Sequence, residues 1–251
     1  MAYGTNAPFG LRPVKSISGG CWAEQTNPYR IAASADGTTT SARSIFQGDL
    51  VVWNATAANQ GGGTITAYDY DTDGAAGDNA TPVIGVFVSC EYFLPSGELV
   101  QANYWPASTM VKAGSDITAF VTDDPSVLYN VQVSTWTNVL NNARFTKDLV
   151  GQNFGVGVGG GGANLVPNNP TGGNTSTGQS TAYLATTFTA NNVAHTVNTL
   201  PLKVMGYTPE PTNLSQPISY TADGTTQPFL NVIVALNNQT LKPGTTATVA
   251  V

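Results

Sequence analysis

The sequence is poor in charged residues, cysteine and histidine. Nine basic and 15 acidic residues make up 10% of the 251-residue chain, against about 25% in a typical soluble domain. Two cysteines and one histidine are too few for the usual zinc and iron–sulfur frameworks. Nine scattered cations do not form the Lys/Arg surface that nucleic-acid binding by counterion release requires. We therefore expect no nucleic-acid partner.

Long apolar runs and helix-forming residues are also scarce. No apolar run approaches the roughly 20 residues of a membrane-spanning helix, so we expect no membrane association. Residues 1–10 have neither the basic nor the apolar region of a secretory signal, which predicts a protein made and kept in the cytoplasm until the cell is opened. Four Glu and five Lys stand against 34 Thr, 22 Asn and 27 Gly, which favours strands and turns over helices.

Alternating apolar residues and β-rich runs predict strands along the whole chain, separated by Gly, Asn and Asp clusters. In Val127–Thr135, the residues Val127, Tyr129, Val131 and Val133 would share a buried face. Val83–Phe93 is apolar on both faces and is predicted to be a central strand, and Ser96-Gly97 predicts a hairpin turn. The predicted strands are Ser44–Trp53, Val83–Leu94, Leu99–Trp105, Ile117–Thr122, Val127–Thr135, Tyr183–Thr189, Leu200–Tyr207 and Phe229–Leu236.

Composition divides this all-β chain into four segments. Prolines and a glycine oppose regular structure in residues 1–20, which are predicted to form an extended N-terminal arm. Residues 21–154 are predicted to form the main domain, a β-barrel or β-sandwich. Residues 155–180 are rich in Gly, Asn and Thr, lack charge, and form either a flexible linker or an arm laid across a neighbouring subunit. Residues 181–251 are a smaller C-terminal β region that either completes the first domain or forms a second one.

One acidic segment has the pattern of a metal-binding loop. Residues 61–130 carry a net charge of −8, more than the −6 of the whole chain. Within them, Asp69-Tyr70-Asp71-Thr72-Asp73-Gly74 matches the first half of a calcium loop, with alternating carboxylates and a glycine for the turn. The bidentate Glu of such a loop is replaced by Ala80, although Asp78 lies nearby. A solvated acidic turn is the preferred interpretation, and we assign no metal site.

The remaining candidate residues for catalysis are isolated. His195, the single histidine, lies in a Thr/Asn-rich stretch without a nucleophile elbow and is interpreted as a surface or structural residue. A glycosidase needs paired carboxylates. Glu91 and Glu98 straddle the predicted hairpin and Asp123-Asp124 are adjacent, but acidic pairs are common in turns. We therefore predict no enzyme activity, no catalytic residues and no cofactor.

The cysteines and several aromatic residues have structural explanations. Without a secretory signal, Cys21 and Cys90 are predicted to be reduced thiols, with a disulfide as the alternative. Cys21 lacks a basic setting, and Cys90 lies in the predicted central strand as a small buried hydrophobic residue. Three tyrosines and a tryptophan have two possible roles: binding the faces of sugar rings, as in a carbohydrate-binding module, or packing in the core. Core packing is the preferred interpretation. These aromatic residues are Tyr68, Tyr70, Tyr104 and Trp105.

Several short sequence patterns follow one another along the chain, and their order and spacing are characteristic. They are Asn6–Val14 (NAPFGLRPV), Tyr29–Ala32 with Ser44–Val51 (SIFQGDLV), Val83–Phe87 continuing through Cys90–Tyr92 to Tyr104–Pro106, and Asp123–Gln132 (DDPSVLYNVQ) with Leu200–Val204 and Pro211–Asn213. In this arrangement the chain resembles head decoration, or cement, proteins of tailed bacteriophages over roughly residues 6–213. The Gly-rich segment and the Asn/Thr-rich tail after Pro217 depart from that pattern.

The resemblance implies a non-enzymatic virion protein on the capsid surface that clamps adjacent subunits of the major capsid protein and stabilises the shell. A homo-oligomer, with a trimer at three-fold positions, is the natural arrangement. Deleting residues 1–14 is expected to abolish particle binding and to leave the β fold intact. The alternative is a phage tail or fibre component with a carbohydrate-binding role. An exported β-sandwich module or glycosidase is disfavoured by the missing secretory signal.

Overall fold

A computed structural model describes residues 8–33, 36–37, 43–54, 63–68, 82–133, 150–158, 172–185, 200–208 and 231–242. These residues are all-β and contain no helix, which confirms the fold class. Parts of three predicted strands, residues 134–135, 186–189 and 229–230, lie outside them. The strands are β1 (Arg12–Ser16), β2 (Asn27–Ile31), β3 (Ile45–Phe46), β4 (Leu50–Trp53), β5 (Thr64–Ala67), β6 (Gly85–Phe93), β7 (Leu99–Ala102), β8 (Tyr104–Trp105), β9 (Ile117–Thr122), β10 (Val127–Gln132), β11 (Asn153–Val158), β12 (Gly173–Asn174), β13 (Gln179–Ser180), β14 (Ala182–Ala185), β15 (Leu202–Tyr207) and β16 (Asn231–Leu236).

Five strands form a barrel in the order β4-β5-β2-β9-β6. The ring is closed by pairing of β4 with the first two residues of β6. The second half of β6 pairs with β7, which extends the wall beyond the ring. On β9, Ile117, Ala119 and Val121 point into the barrel and are buried, whereas Thr118 and Phe120 alternate with them and are only half-buried. Period-two alternation therefore separates one core face from one outer face on this wall.

The second large sheet has the order β1-β10-β16-β15-β11-β14. A parallel bridge between Val133 and Leu184 joins the end of β10 to β14, so this sheet curls around a core that also includes Leu50, Val52 and Val86 of the barrel strands. The predicted buried face of β10 is confirmed, since Val127, Tyr129, Val131 and Val133 all lie in that core. β9 leads into β10 through the short turn at residues 123–126, which connects the barrel to the curled sheet.

Strands from the C-terminal region share this sheet with earlier strands. β16 pairs with β10 in antiparallel register from Leu128↔Ala235 to Gln132↔Asn231. β11 crosses the boundary predicted at residue 154, and it pairs with both β14 and β15. Strands from residues 181–251 thus lie in the same sheet as β1 and β10.

The Gly-rich segment is β-structured at both of its ends. Phe154 and Val156 of β11 are buried in the core of the curled sheet, so the linker prediction does not hold for residues 155–158. Residues 173–180 form the β12–β13 hairpin, which packs beside β3. The middle of the segment, residues 159–171, lies outside the described residues.

Residues 8–16 of the predicted N-terminal arm belong to the folded body. β1 pairs with β10, and Leu11 is 1% exposed in the core of the curled sheet. The main-chain N–H groups of Gly10 and Leu11 donate to Ala182 O at 3.1 Å and Gly48 O at 2.9 Å. Removal of residues 1–14 would take away a core side chain and most of a strand, so we now expect it to destabilise the fold rather than to spare it.

Cys21 and Cys90 do not form a disulfide with each other in the structure. Cys21 is exposed, whereas Cys90 is buried in the barrel, and burial raises the pKa of its thiol to about 12. Only the thiolate reacts readily with alkylating agents. We expect iodoacetamide at pH 8 to label Cys21 alone in the native protein and both cysteines after unfolding in guanidinium chloride. Mass spectrometry of the intact chain measures this, and rapid native labelling of Cys90 would contradict its burial.

Candidate interaction surface

The outer wall of the barrel carries the largest exposed side chains of the β6–β7 hairpin. On β6, Cys90 and Tyr92 point into the barrel core, so Glu91 and Phe93 between and beyond them point outward. The strand is central, as predicted, because it pairs with β4, β9 and β7. Its apolar outer end is nevertheless uncovered within the described residues, and Phe93 is 41% exposed.

β7 places a second apolar side chain beside Phe93. Val100 and Ala102 pack against the barrel core, which turns Leu99 and Gln101 outward. Leu99 lies directly opposite Phe93 in the register, and it is 49% exposed. Directly opposite residues on one face of an antiparallel pair have Cβ atoms about 5 Å apart. The two side chains therefore form one apolar patch, which we call the Phe93–Leu99 pair.

The turn of this hairpin decides which strand groups are hydrogen-bonded. Leu94 N–H donates to Glu98 O at 2.8 Å, and Gly97 N–H donates to Leu94 O at 2.8 Å. The sequence suits this turn, because Pro95 has its φ fixed by its ring and Gly97 adopts a φ of +89°. The prediction of a turn at Ser96-Gly97 is confirmed.

The turn also leaves β7 with an open edge. In an antiparallel pair, hydrogen-bonded and non-hydrogen-bonded residue pairs alternate. Because Leu94 bonds Glu98, the pairs Phe93↔Leu99 and Glu91↔Gln101 are non-hydrogen-bonded. The N–H and C=O groups of Leu99 and Gln101 consequently point away from β6. Within the described residues these groups have no protein partner, and both residues are exposed.

A polar row borders the Phe93–Leu99 pair. The register aligns Gln101, Glu91, Thr118 and Arg30 across β7, β6, β9 and β2. Arg30 forms an ion pair with Asp116 in which both side chains stay more than half exposed, so the pair adds little stability. An apolar patch beside polar groups is the usual composition of a protein–protein contact with a wet rim.

The carboxylates weighed for catalysis occupy different places. Asp123 is buried where the barrel meets the curled sheet, and it accepts hydrogen bonds from Asn27 Nδ2 at 2.8 and 3.0 Å and from Tyr29 OH at 2.6 Å. Burial, and then the bond to Asp123, raise the pKa of the Tyr29 hydroxyl. Asp124 Oδ1 accepts Ser126 N–H at 2.8 Å, as a turn carboxylate does. Glu91 lies on the outer barrel wall, away from both.

Sequence reasoning missed a buried carboxylate that joins distant segments. Asp49 is 2% exposed and accepts Phe46 N–H at 2.8 Å and Ser180 Oγ–H at 2.5 Å. These bonds fix the turn between β3 and β4 and attach it to β13. The local signal was the Gly48-Asp49 turn motif inside the predicted strand Ser44–Trp53, but its partner lies 131 residues along the chain.

The aromatic residues considered for sugar binding are mostly internal. Tyr68 and Trp105 are buried in the core, and Trp105 packs edge-on against Tyr92 at 5.0 Å between ring centroids. Tyr104 is half-buried and stacks on Phe46 at 5.3 Å. These contacts are the core packing that the sequence favoured.

Some sequence candidates cannot be placed. Tyr70, the Asp69-Asp71-Asp73 loop with Asp78 and Ala80, and His195 lie outside the described residues. In the part of the chain that the structure covers, no three or more His, Cys, Asp or Glu side chains are grouped so that they can hold a metal ion. The same part contains no helix long and apolar enough to cross a membrane.

Comparison of the chain with protein-family models, with curated proteins and with solved structures gives no match. Its function is therefore inferred from its own sequence patterns and from the surface described above.

Proposed function

We propose that this chain is a non-enzymatic virion structural protein that binds the outside of a bacteriophage capsid and clamps adjacent subunits of the major capsid protein. The observation that carries the proposal is the exposed Phe93–Leu99 pair on an open strand edge. Exposed apolar side chains beside an unpaired edge are a liability for a free protein, because they promote unwanted association. Such a surface is useful when a partner covers it. The sequence patterns shared with decoration proteins suggest that this partner is a capsid shell.

The architecture suits a clamp. A closed barrel wall has to lose strand pairing on two sides before any of its strands can leave, which makes local opening costly. β16 and β1 both pair with β10, so segments from the two ends of the chain are held by one strand. A protein that bridges shell subunits must transmit force without opening, and this pairing supports that role. In the proposal the protein is made in the host cytoplasm, acts on the capsid surface and forms a homo-oligomer, with a trimer favoured.

Copy number in purified particles tests the proposal. Particles from a lysate of the source are banded on a density gradient, and this chain is quantified by mass spectrometry against the most abundant shell protein. We expect a ratio near one to one, or one to a small integer, because a cement protein occupies repeated positions on the shell. A few copies per particle would favour the tail or fibre alternative. Absence from the particle would contradict every phage-based proposal.

A further inference from the structure

The large sheets have edges that differ in how well they can accept another strand. β1 contains Pro13 and Lys15, has an irregular register with β10, and is bridged at Lys15 by Cys21. Proline, lysine and bulges are the usual means of blocking edge pairing. At the other end of that sheet, Leu184 of β14 is bridged to Val133. β7 contains no proline, lysine or bulge, and within the described residues it pairs, in regular register, with β6 alone.

We propose that the free edge of β7 accepts an extended segment of the major capsid protein as an added strand, an inference that rests on the proposed function. Each of Leu99 and Gln101 offers one N–H and one C=O to the incoming backbone. An apolar side chain of the incoming strand would extend the Phe93–Leu99 pair on the outer face. Strand addition of this kind takes affinity from main-chain hydrogen bonds and specificity from alternate side chains.

Charge indicates a basic residue in the incoming segment. The β6–β7 hairpin contains two charged side chains, Glu91 and Glu98, and both are acidic. Glu91 stands on the outer face beside Gln101, one row from the Phe93–Leu99 pair. An arginine or lysine two residues from the apolar side chain of the added strand would lie on this same face opposite Gln101, about 10 Å from Glu91 across β7, which a long side chain can span.

The same charges disfavour a second copy of this chain as the occupant. Pairing β7 with β7 of another copy would bring four glutamates into one continuous surface, with no cation from either hairpin to offset them. The two Glu91 side chains would be three strands apart, so their repulsion is weaker than that of directly opposite charges but has the same sign. The negative potential of Glu91 and Glu98 attracts a shell segment with a basic residue, whereas it repels a second acidic hairpin.

Replacement of Gln101 by proline tests the backbone part of this inference. Proline removes the N–H that points to the open edge, and proline is tolerated on edge strands where that N–H faces solvent. The matched control is Gln101→Thr, which keeps the N–H and favours a strand. The probe is a preparation of capsids from a phage whose gene for this chain is disrupted, and binding is measured by co-sedimentation. We expect Gln101→Pro to bind about tenfold or more weakly than wild type, and Gln101→Thr to bind like wild type.

A second pair of variants tests the side-chain part without changing the backbone. Leu99→Ser removes half of the exposed apolar pair, and Met205→Ser is the control at a similarly exposed position of the other sheet (42% exposed). Loss of a buried leucine contact weakens binding by about tenfold or more, so Leu99→Ser should bind poorly and Met205→Ser normally. Glu91→Gln should weaken binding less and reduce its dependence on salt concentration.

Amide hydrogen exchange separates the inference from the proposed function. In capsid-bound wild-type protein, the Leu99 and Gln101 amides should exchange far more slowly than in the free protein. Suppose that wild-type protein binds the capsids. Unchanged exchange at these two amides, or full binding by both Gln101→Pro and Leu99→Ser, would then overturn the added strand. The proposed decoration role would be unaffected. Failure of wild-type protein to bind such capsids at all would overturn both. If the melting temperature of Gln101→Pro is much lower than that of wild type, its binding is not interpretable. The binding of Leu99→Ser and the hydrogen-exchange data then test the added strand.

Discussion

Replacing Gly85 by alanine is expected to destabilise the protein by about 3 kcal/mol or more, close to the upper end of overpacking effects. A Cβ atom on Gly85 would lie 2.3 Å from Thr122 O and 2.9 Å from Asp123 Cα. Both are main-chain atoms at the end of β9, so neither can move aside as a flexible side chain would. β6 and β9 would have to separate where the barrel meets the curled sheet.

That separation would disturb a second contact. Gln239 Nε2 donates to Ile84 O at 2.9 Å and to Asp123 O at 2.7 Å, which ties this glutamine to the residue before β6 and the residue after β9. Each such bond contributes about 1 kcal/mol, and the buried groups left unpaired cost more. For a chain of this size, about 3 kcal/mol corresponds to a fall in Tm of roughly 10 °C, which circular dichroism can follow.

Gly206→Ala is the matched control for Gly85→Ala. Gly206 also lies in a strand, β15, and a Cβ atom there meets nothing within 4 Å. Alanine loses less backbone entropy on folding than glycine, so this variant should melt at or slightly above the temperature of wild type. Equal melting temperatures for the two variants would mean that β6 and β9 do not approach as closely as described.

Truncating Leu11 to alanine is expected to cost about 2–5 kcal/mol, the range measured when buried leucines are shortened in well-packed cores. Leu11 lies in the same core cluster as Leu50 and Val86, and its N–H is bonded to Gly48 O at 2.9 Å. Truncation would leave a cavity in this core. Because the main chain on both sides of that cavity is held by hydrogen bonds, the surrounding residues have little freedom to fill it. Denaturant unfolding monitored by tryptophan fluorescence measures the loss.

Val14→Ala distinguishes a core effect from a general effect of the N-terminal segment. Val14 lies on β1, three residues from Leu11, and is 44% exposed. Its truncation should change the free energy of unfolding by less than about 0.5 kcal/mol. If Leu11→Ala were as mild as Val14→Ala, residues 8–16 would be a separable arm after all, and deletion of residues 1–14 would again be expected to spare the fold.

The strands that were predicted best are those whose signal is local. The prediction for β9, Ile117–Thr122, matches the structure at both ends, because its alternation is regular and its neighbours are turn residues. The β6–β7 turn was found for the same reason, since Ser96-Gly97 carries its own conformational preference. Strand β4 was predicted as the end of a longer run, Ser44–Trp53. The break at Gly48-Asp49 had a local turn signal, but the bond from Ser180 that attaches this turn to β13 is not encoded nearby.

The N-terminal segment shows why composition misled the interpretation. Pro8, Gly10 and Pro13 weaken regular structure in isolation. Pro13 nevertheless fits β1 because this strand lies at a sheet edge with an irregular register, where a missing N–H is tolerated. Gly10 adopts a φ of +73° and packs against Gly48 O and Ser180 Cβ, a close approach that only a glycine permits. The same residues therefore direct a docked strand rather than a free arm.

The candidate surface was visible in the sequence only as strand and turn. Phe93 ends a run that is apolar on both faces, which predicted a central strand, yet within the described residues its side chain is 41% exposed. Whether an outward side chain is covered depends on which strand lies next to it and where that strand ends. No pattern in Val83–Phe93 specifies this, so the exposed pair with Leu99 emerges only from the register.

By itself the sequence determined that this protein is all-β, and where most of its strands and one hairpin lie. These properties follow from side-chain alternation, turn preferences and composition, which act over a few residues. The tertiary structure decided the closure of the barrel through β4 and β6, the docking of the N-terminal segment and the open edge of β7. Each of these depends on contacts between residues far apart in the chain, whose energies are settled only when the whole chain packs.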